Sequence, residues 1–177
     1  MENRLPVAIS IISRSGAGKT VLIERLIAEF KRRGYRVGTI KHHVHPGFEI
    51  DHPGKDTWRH AQAGSDHVVI AAPDKVASIR KVPSEPSLEA LIATMGDVDI
   101  IFTEGYRREG ANKIEVVRKD HYPLPLCKAE ELIAIVSNSD TLYDLPHFDL
   151  DAIEELADFI QQRFLKATLR IKSNDRE

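Results

Sequence analysis

The 177-residue chain has one cysteine, one tryptophan, and no apolar run long enough to cross a membrane. The single Cys127 excludes an internal disulfide and favours a reducing compartment. A transmembrane helix needs about 18 consecutive apolar residues, and the apolar stretch near the start is also too short for a secretory signal. Neither sign of charge dominates, because 25 Lys and Arg face 27 Asp and Glu for a net charge of −2. We therefore expect a cytoplasmic protein that binds neither membranes nor nucleic acid.

Apolar residues make up 42% of the chain, which is enough for one core. Apolar runs alternate with helical patterns, and this predicts a single α/β domain over residues 1–165. Two strand-like runs joined by Pro73-Asp74-Lys75 predict an added β-hairpin. A final amphipathic helix is predicted to be capped by Asp149 or Asp151. Residues 166–177 are polar, and we expect this tail to be frayed.

The most informative motif is Ser13-Arg14-Ser15-Gly16-Ala17-Gly18-Lys19-Thr20, which lies between an apolar strand and a helical pattern. Glycines at these positions allow backbone N–H groups to face phosphate oxygens. Lys19 supplies a charge for the β and γ phosphates, and Thr20 supplies a hydroxyl for Mg²⁺. The general pattern GxxxxGK[ST] has glycine where this chain has Ser13, so we expect strain if that residue needs a positive φ. The motif predicts a P-loop NTPase-like, three-layer fold with a mostly parallel sheet that binds a nucleoside triphosphate.

Candidate metal and phosphate ligands follow other predicted strands. Glu104 ends the strand predicted at residues 98–103, and Lys41 follows the strand predicted at residues 37–40. Ligands of open α/β sheets bind beyond the carboxyl ends of the strands, so both side chains are predicted to face the phosphates. Glu49, Asp51 and Asp56 are the candidates for a third magnesium ligand. Asp56 can equally be a helix N-cap, and the residues alone leave these alternatives equal.

Two further patterns have competing interpretations. His42, His43 and His45 either form a polar loop near the site or bind a metal such as Zn²⁺ or Ni²⁺. A carboxylate selects guanine by accepting hydrogen bonds from N1–H and the exocyclic amine. Asp140, which follows the strand predicted at residues 132–137, is the better candidate for that carboxylate, and a plain turn is the alternative. The segment 127–130 has a similar pattern but precedes its strand.

Taken together, these segments resemble the MobB family of molybdopterin-guanine dinucleotide biosynthesis adaptor proteins. The resemblance extends over about residues 6–165. Its specific part is the order of three motifs, in addition to the phosphate loop: Ile40-Lys41-His42-His43, Pro53-Gly54-Lys55-Asp56-Thr57 and Thr103-Glu104-Gly105-Tyr106. It implies a homodimeric GTP-binding protein that assists the MobA-like molybdenum cofactor guanylyltransferase, and it leaves direct contact with molybdopterin open.

The resemblance also implies site residues and a reaction. GTP and Mg²⁺ are the expected ligands, and the chain is at most a slow GTPase. The nucleotide-binding residues are then Ser15, Gly16, Ala17, Gly18, Lys19, Thr20, Lys41 and Asp140. The wider group is similar to dethiobiotin synthetase and to nickel metallochaperone GTPases, which implies Thr20, Asp56 and Glu104 as the magnesium residues. A P-loop kinase or ATP-dependent ligase is the alternative function, and Arg107 and Arg108 are the only hint of the arginine lid that a kinase needs. A metal-delivery GTPase that uses the histidines is a third.

Overall fold

The computed structural model describes residues 5–120, 124–140 and 143–165, which form eight β-strands and four α-helices. The strands are β1 Val7–Ile12, β2 Val37–Lys41, β3 His67–Ala72, β4 Lys75–Arg80, β5 Ile100–Glu104, β6 Lys113–Val117, β7 Leu132–Ser137 and β8 His147–Phe148. The helices are α1 Lys19–Arg32, α2 Asp56–Gln62, α3 Leu88–Ala93 and α4 Ile153–Ile160. A 3-10 turn at Ala129–Glu131 precedes β7, and a π-helical turn at Gln161–Leu165 extends α4.

The residues group into two compact units. The larger unit combines Met1–His42 with Leu88–Glu177, and the smaller unit is His43–Ser87. The prediction of one nucleotide-binding domain over residues 1–165 stays a prediction. The tail predicted at residues 166–177 lies outside the described residues.

The larger unit contains a six-stranded sheet in the order β2-β5-β1-β6-β7-β8. Every neighbouring pair in this sheet is parallel. The register aligns Ile11 of β1 with Glu104 of β5, and Glu104 with Lys41 of β2. The carboxyl ends of the central strands therefore meet at one edge. Together with the separate β3–β4 hairpin, this arrangement confirms the predicted α/β class with a mostly parallel sheet.

Helices α1 and α4 cover one face of the sheet and enclose the main core. Along α1, apolar residues recur at the spacing of one helical face and are buried against the strands. The α4 helix packs beside α1 on the same core. Fully buried members of this core include Ile9, Ile11, Leu26, Phe30, Phe102, Ile114, Leu156 and Ile160.

The opposite face of the sheet contains buried polar side chains beside a smaller apolar cluster that includes Ile12 and Val117. Ser10 and Thr103, both fully buried on neighbouring strands, form a hydrogen bond of 2.9 Å. Gly110 lies against this pair, because a Cβ added there would come within 2.3 Å of Ser10 Oγ. Only glycine allows the loop that follows β5 to approach the sheet so closely.

Glu115 fixes a second loop to the same face. Its buried carboxylate accepts hydrogen bonds from the backbone N–H groups of Leu126 at 2.5 Å and Cys127 at 3.0 Å. The phenol of Tyr143 donates to the carbonyl of Cys127 at 3.0 Å. Burial, with the nearby charges of Glu115 and Glu131, raises the pKa of the Cys127 thiol. Cys127 is therefore buried within a loop that hydrogen bonds fix to β6.

In the smaller unit, β3 and β4 form an antiparallel hairpin with Val68 opposite Ile79 and Ala71 opposite Val76. Val68 is its buried apolar residue, and most of the other hairpin side chains are exposed. A cavity of about 420 Å³ lies between this hairpin and the segment that contains Phe48.

One predicted helix start is wrong. The N-cap of α4 is Ala152, not Asp149 or Asp151. Asp151 instead accepts a hydrogen bond of 2.5 Å from Arg25 of α1, and Asp149 accepts one from the backbone of Asp151. The two carboxylates therefore shape the turn before α4 and tie it to α1, without capping the helix.

A cluster of charges joins the end of α1 to α4. Glu29 accepts hydrogen bonds of 2.7 Å from both Arg32 and Arg33. Arg33 continues to Asp158 of α4 at 2.6 Å and to Gln161. Hydrogen bonds from Arg32 and then from Arg33 lower the pKa of Glu29 from 4.5 to about 2. The ionised carboxylate of Glu29 is therefore the centre of this helix–helix contact.

We expect Glu29→Gln to reduce the free energy of unfolding by about 1–2 kcal/mol at neutral pH, because both arginines lose a charged acceptor. The pKa of Glu29 is lower in the folded state, so its contribution is complete above pH 4.5 and disappears as the pH falls towards 2. Urea unfolding at pH 7 and pH 3, with the exposed Glu24→Gln as control, measures this. An equal loss at both pH values would contradict the assignment.

Candidate functional site

The turn between β1 and α1 has the backbone that a phosphate cradle requires. Gly16 and Gly18 have φ values of 78° and 98°, a region that favours glycine. A Cβ added to either glycine would meet no atom within 4 Å, so the backbone conformation demands glycine here and space does not. Gly18 is the N-cap of α1, and its carbonyl accepts the hydrogen bond from Leu22 N–H at 3.0 Å. The positive end of α1 therefore opens directly onto the turn.

The middle of the turn combines an anchored residue with an exposed one. Ala17 is buried, and its N–H lies 3.4 Å from the carbonyl oxygen of Arg14. Ser15 is exposed beside it. The buried Ala17 therefore anchors the loop to the protein, and the exposed side of the loop at Ser15 is accessible to a ligand.

Ser13 does not need the strained backbone that its departure from the glycine pattern suggested. Among the described residues, Asn112 is the only non-glycine with a positive φ. The Ser13 hydroxyl instead accepts a hydrogen bond of 2.9 Å from the amine of Lys19. The same amine lies 3.2 Å from the carbonyl oxygen of Arg14. This role of Ser13 was not predicted, because the contact exists only once the loop has folded back on itself.

Four of the predicted site residues converge at the carboxyl edge of the sheet. Oε1 of Glu104 lies 3.5 Å from the hydroxyl of Thr20 and 3.8 Å from the amine of Lys41. Burial lowers the pKa of Lys19, while the charge of Glu104 raises it and that of Lys41 lowers it further. One carboxylate therefore interacts with a hydroxyl and two ammonium groups at the N-terminal end of α1.

Asp56 belongs to the smaller unit, whereas the four residues of this cluster belong to the larger one. It is the first residue of α2, and Lys55 occupies the N-cap position that was the alternative for Asp56. Its Oδ1 lies 3.9 Å from Arg59 on the next turn. The magnesium role of Asp56 stays a prediction.

Asp140 is exposed beyond the end of β7, two strands away from β1. The turn before it is shaped by Ser137, whose hydroxyl hydrogen bonds to the backbone of Ser139. Asn138 accepts a hydrogen bond of 3.1 Å from Lys119 N–H, which links the turns after β6 and β7. Sequence reasoning missed this link. Asp140 thus lies at the same edge of the sheet as the cradle.

The alternative base-recognition segment at 127–130 lies at the other end of β7. It leads into the 3-10 turn, where the Lys128 N–H donates to the carboxylate of Glu131 at 2.9 Å. Its polar groups stabilise the start of β7, which favours Asp140 among the two candidates.

The three histidines have different surroundings. The ring of His42 contacts that of Tyr106 with centroids 5.1 Å apart, and the backbone N–H of His42 donates to the backbone carbonyl of Glu104. His43 contacts His45 and Phe48 edge-on, each at 6.1 Å. Within the described ranges, no group of three His, Cys, Asp or Glu side chains is arranged to hold a metal ion. The described helices also include none that is long and apolar enough to span a bilayer.

Most of the chain matches one known protein family. The family model for molybdopterin guanine dinucleotide synthesis protein B, or MobB, matches residues 8–138. The chain belongs to the MobB family. The match contains the cradle, Lys41 and Glu104, and it stops two residues before Asp140.

Curated relatives and solved structures agree with the MobB family. A molybdopterin-guanine dinucleotide biosynthesis adapter protein of Haemophilus influenzae is 34% identical, and the match covers 91% of this chain and 90% of that protein. The Escherichia coli protein of the same name is 34% identical over 82% and 86% of the two chains. The crystal structure of a MobB matches with a TM-score of 0.68 at 30% identity, over 88% and 99% of the chains. Bacillus subtilis MobB, at 22% identity, a TM-score of 0.69 and coverage of 89% and 96%, supports the fold alone.

Proposed function

We propose that this MobB-family chain is a GTP-binding adaptor of molybdopterin-guanine dinucleotide biosynthesis. In this role it assists the MobA-like guanylyltransferase that joins GMP to molybdopterin. The observation that carries the proposal is the convergence of Lys19, Thr20 and Glu104 on the glycine turn at the start of α1. The names of the curated relatives support the pathway, and the cradle supports the triphosphate.

The donors at the cradle fit a hard cation. Thr20 offers a hydroxyl oxygen and Glu104 a carboxylate oxygen, 3.5 Å apart. Oxygen donors of this kind are what Mg²⁺ requires, and Mg²⁺ usually retains several waters beside them. When bound with GTP, Mg²⁺ neutralises phosphate charge. Thr20 and Glu104 would hold it, and Asp56 is the third proposed ligand.

The proposed nucleotide extends along the carboxyl edge. Lys19 and the backbone of the turn would hold the β and γ phosphates, with Lys41 as a second cation near them. Asp140 would accept the two N–H groups of the guanine edge. These roles follow from the order of the strands, because β5, β1, β6 and β7 succeed one another along that edge.

The hydrogen bond of Arg107 favours an adaptor over the alternative kinase. Its guanidinium donates to the carbonyl of Leu126 at 2.9 Å, and so it is tied to the loop that Glu115 fixes. A kinase lid needs arginines that close over the γ-phosphate. We therefore propose that GTP turnover by the isolated protein is far below the enzyme median of about 10 per second.

Lys19→Ala is expected to abolish GTP binding and to leave the fold intact, because the Lys19 amine donates to Ser13 and Arg14 of the turn and is not part of the apolar core. Titration calorimetry measures the affinity, and thermal unfolding checks the fold. Lys31→Ala, on the exposed last turn of α1, is the control for loss of one positive charge. A Lys19→Ala protein that binds GTP within about threefold of the parent, or ~0.6 kcal/mol, would refute the cradle.

Glu104→Gln is expected to weaken GTP binding in the presence of Mg²⁺ by roughly tenfold or more and to change binding in EDTA little. The amide keeps the shape of the side chain and removes the charge that Mg²⁺ requires. Parallel titrations with and without Mg²⁺ measure the two affinities. An equal loss under both conditions would show that Glu104 supports the loop and not the metal.

We also propose that the chain is a homodimer that pairs through the β3–β4 hairpin. Val69, Ile70 and Val76 have 54%, 55% and 68% of their surface exposed. Apolar residues exposed on both faces of a two-stranded sheet with open edges favour cover by another protein chain. A second copy of the same hairpin provides that cover with twofold symmetry.

Replacing Ile70 and Val76 together by Lys is expected to convert the dimer to a monomer at micromolar concentration, because it puts charge on both faces of the hairpin. Sedimentation velocity measures the mass of the parent and the variant. Leu5→Lys, which charges an exposed apolar residue outside the hairpin, is the control. A parent that sediments as a monomer, or a double variant that still sediments as a dimer, would contradict the proposal.

A further inference from the structure

Arg118 lies at the carboxyl edge of the sheet directly after β6 and continues its extended backbone. Strand β6 pairs with β1, and Glu115 is aligned with Ile12, the last residue of β1. The chain of β6 therefore extends past the level at which β1 turns into the cradle. On its other side β6 pairs with β7, where Val117 is aligned with Ser137. Arg118 thus lies between the start of the cradle and the turn that leads to Asp140.

The alternation along β6 assigns Arg118 to the face that α1 covers. Ile114 and Val116 belong to the core beneath α1 and α4, whereas Val117 belongs to the apolar cluster of the opposite face. Successive residues of a strand point to opposite faces, so Arg118 shares the face of Val116. This is the face at which the N-terminus of α1 opens onto the cradle.

The guanidinium of Arg118 has a polar atom that no described residue of the chain satisfies. Its Nε is buried and has no hydrogen-bond partner within residues 5–120, 124–140 and 143–165. Lys113, the buried cation at the other end of β6, is paired with Glu131 at 3.3 Å. Buried donors in proteins are nearly always hydrogen bonded, and an exception indicates a water or an ion. At the edge of a nucleotide-binding sheet, the fitting partner for a guanidinium is a phosphate oxygen.

We infer that Arg118 positions the nucleotide by donating to the α-phosphate of bound GTP, an inference that rests on the proposed function. Glu104 of β5 lies on one side of β1, so the metal and the γ-phosphate belong to that side. Asp140 after β7 lies on the other side, and the base extends towards it. Strand β6 comes between, so a residue at its end meets the middle of the nucleotide. The guanidinium can donate a charge-assisted hydrogen bond to one oxygen of that phosphate.

Arg118→Gln tests the inference through the factor by which it lowers the affinity for different nucleotides. We expect GTP and GDP to bind roughly ten- to a hundredfold more weakly, by the same factor, because both contain the α-phosphate. The preference for GTP over ATP stays unchanged. In Asp140→Asn that preference falls, and in Lys19→Ala binding is lost. Lys31→Gln controls for the loss of one charge, and thermal unfolding checks each fold.

Thio-substitution at the α-phosphate gives a second, independent measurement. The parent is expected to discriminate between the two diastereomers of GTPαS, because sulfur replaces a different α-oxygen in each. We expect this discrimination to disappear in Arg118→Gln, because the guanidinium that contacts one of the two α-oxygens is then absent. The comparison is a double-mutant cycle between Arg118 and that oxygen. Arg118→Lys keeps the charge and the aliphatic stem, so it recovers part of the affinity and not the discrimination. If Arg118→Gln is unstable, Arg118→Lys replaces it in the comparison of the two diastereomers.

Three results would overturn the inference and leave the proposed function standing. The first is GTP binding by Arg118→Gln within threefold of the parent while Lys19→Ala does not bind. The second is a loss that is larger for GTP than for GDP, which would place the guanidinium at the γ-phosphate. The third is a changed preference between GTP and ATP, which would place it at the base. Binding that survives in Lys19→Ala would instead refute the proposed function itself.

Discussion

Parallel pairing of β1 with both β5 and β6 is the constraint on which the rest of the site depends. A central strand with two parallel neighbours ends at the same edge as they do. The glycine turn after β1 therefore has Glu104 on one side and Arg118 on the other. A change in register by one residue would turn the side chain of Glu104 to the other face of the sheet, away from Thr20.

The two faces of that sheet are built on different principles. Helices α1 and α4 cover one face with apolar packing and join through the Glu29 cluster. On the other face, Ser10, Thr103 and Glu115 form buried hydrogen bonds beside a smaller apolar cluster, and loops lie against the strands. Buried polar groups of this kind are costly when unpaired, so they specify where each loop lies. The apolar face supplies much of the stability, and the polar face fixes the loops beside the site.

Local features of the sequence predicted much of this structure. The strand β7 was predicted at its observed bounds, because an apolar run between polar segments defines a buried strand. The glycine turn was predicted because its residues are contiguous. The N-cap of α4 was predicted wrongly, because Asp151 hydrogen bonds to Arg25, which is 126 residues away along the chain. The contact of Ser13 with Lys19 and the buried Nε of Arg118 likewise depend on tertiary packing, which spacing along the chain does not encode.

The buried Cys127 gives the protein a chemical reporter on one of its own loops. The thiolate is the reactive form of cysteine, and burial beside two carboxylates keeps this thiol protonated. A reagent can reach it only when the hydrogen bonds from Leu126 and Cys127 to Glu115 open. The rate of alkylation in the native protein therefore measures how often that loop leaves the sheet. One unmodified residue thus makes the local opening of the polar face accessible to a simple kinetic assay.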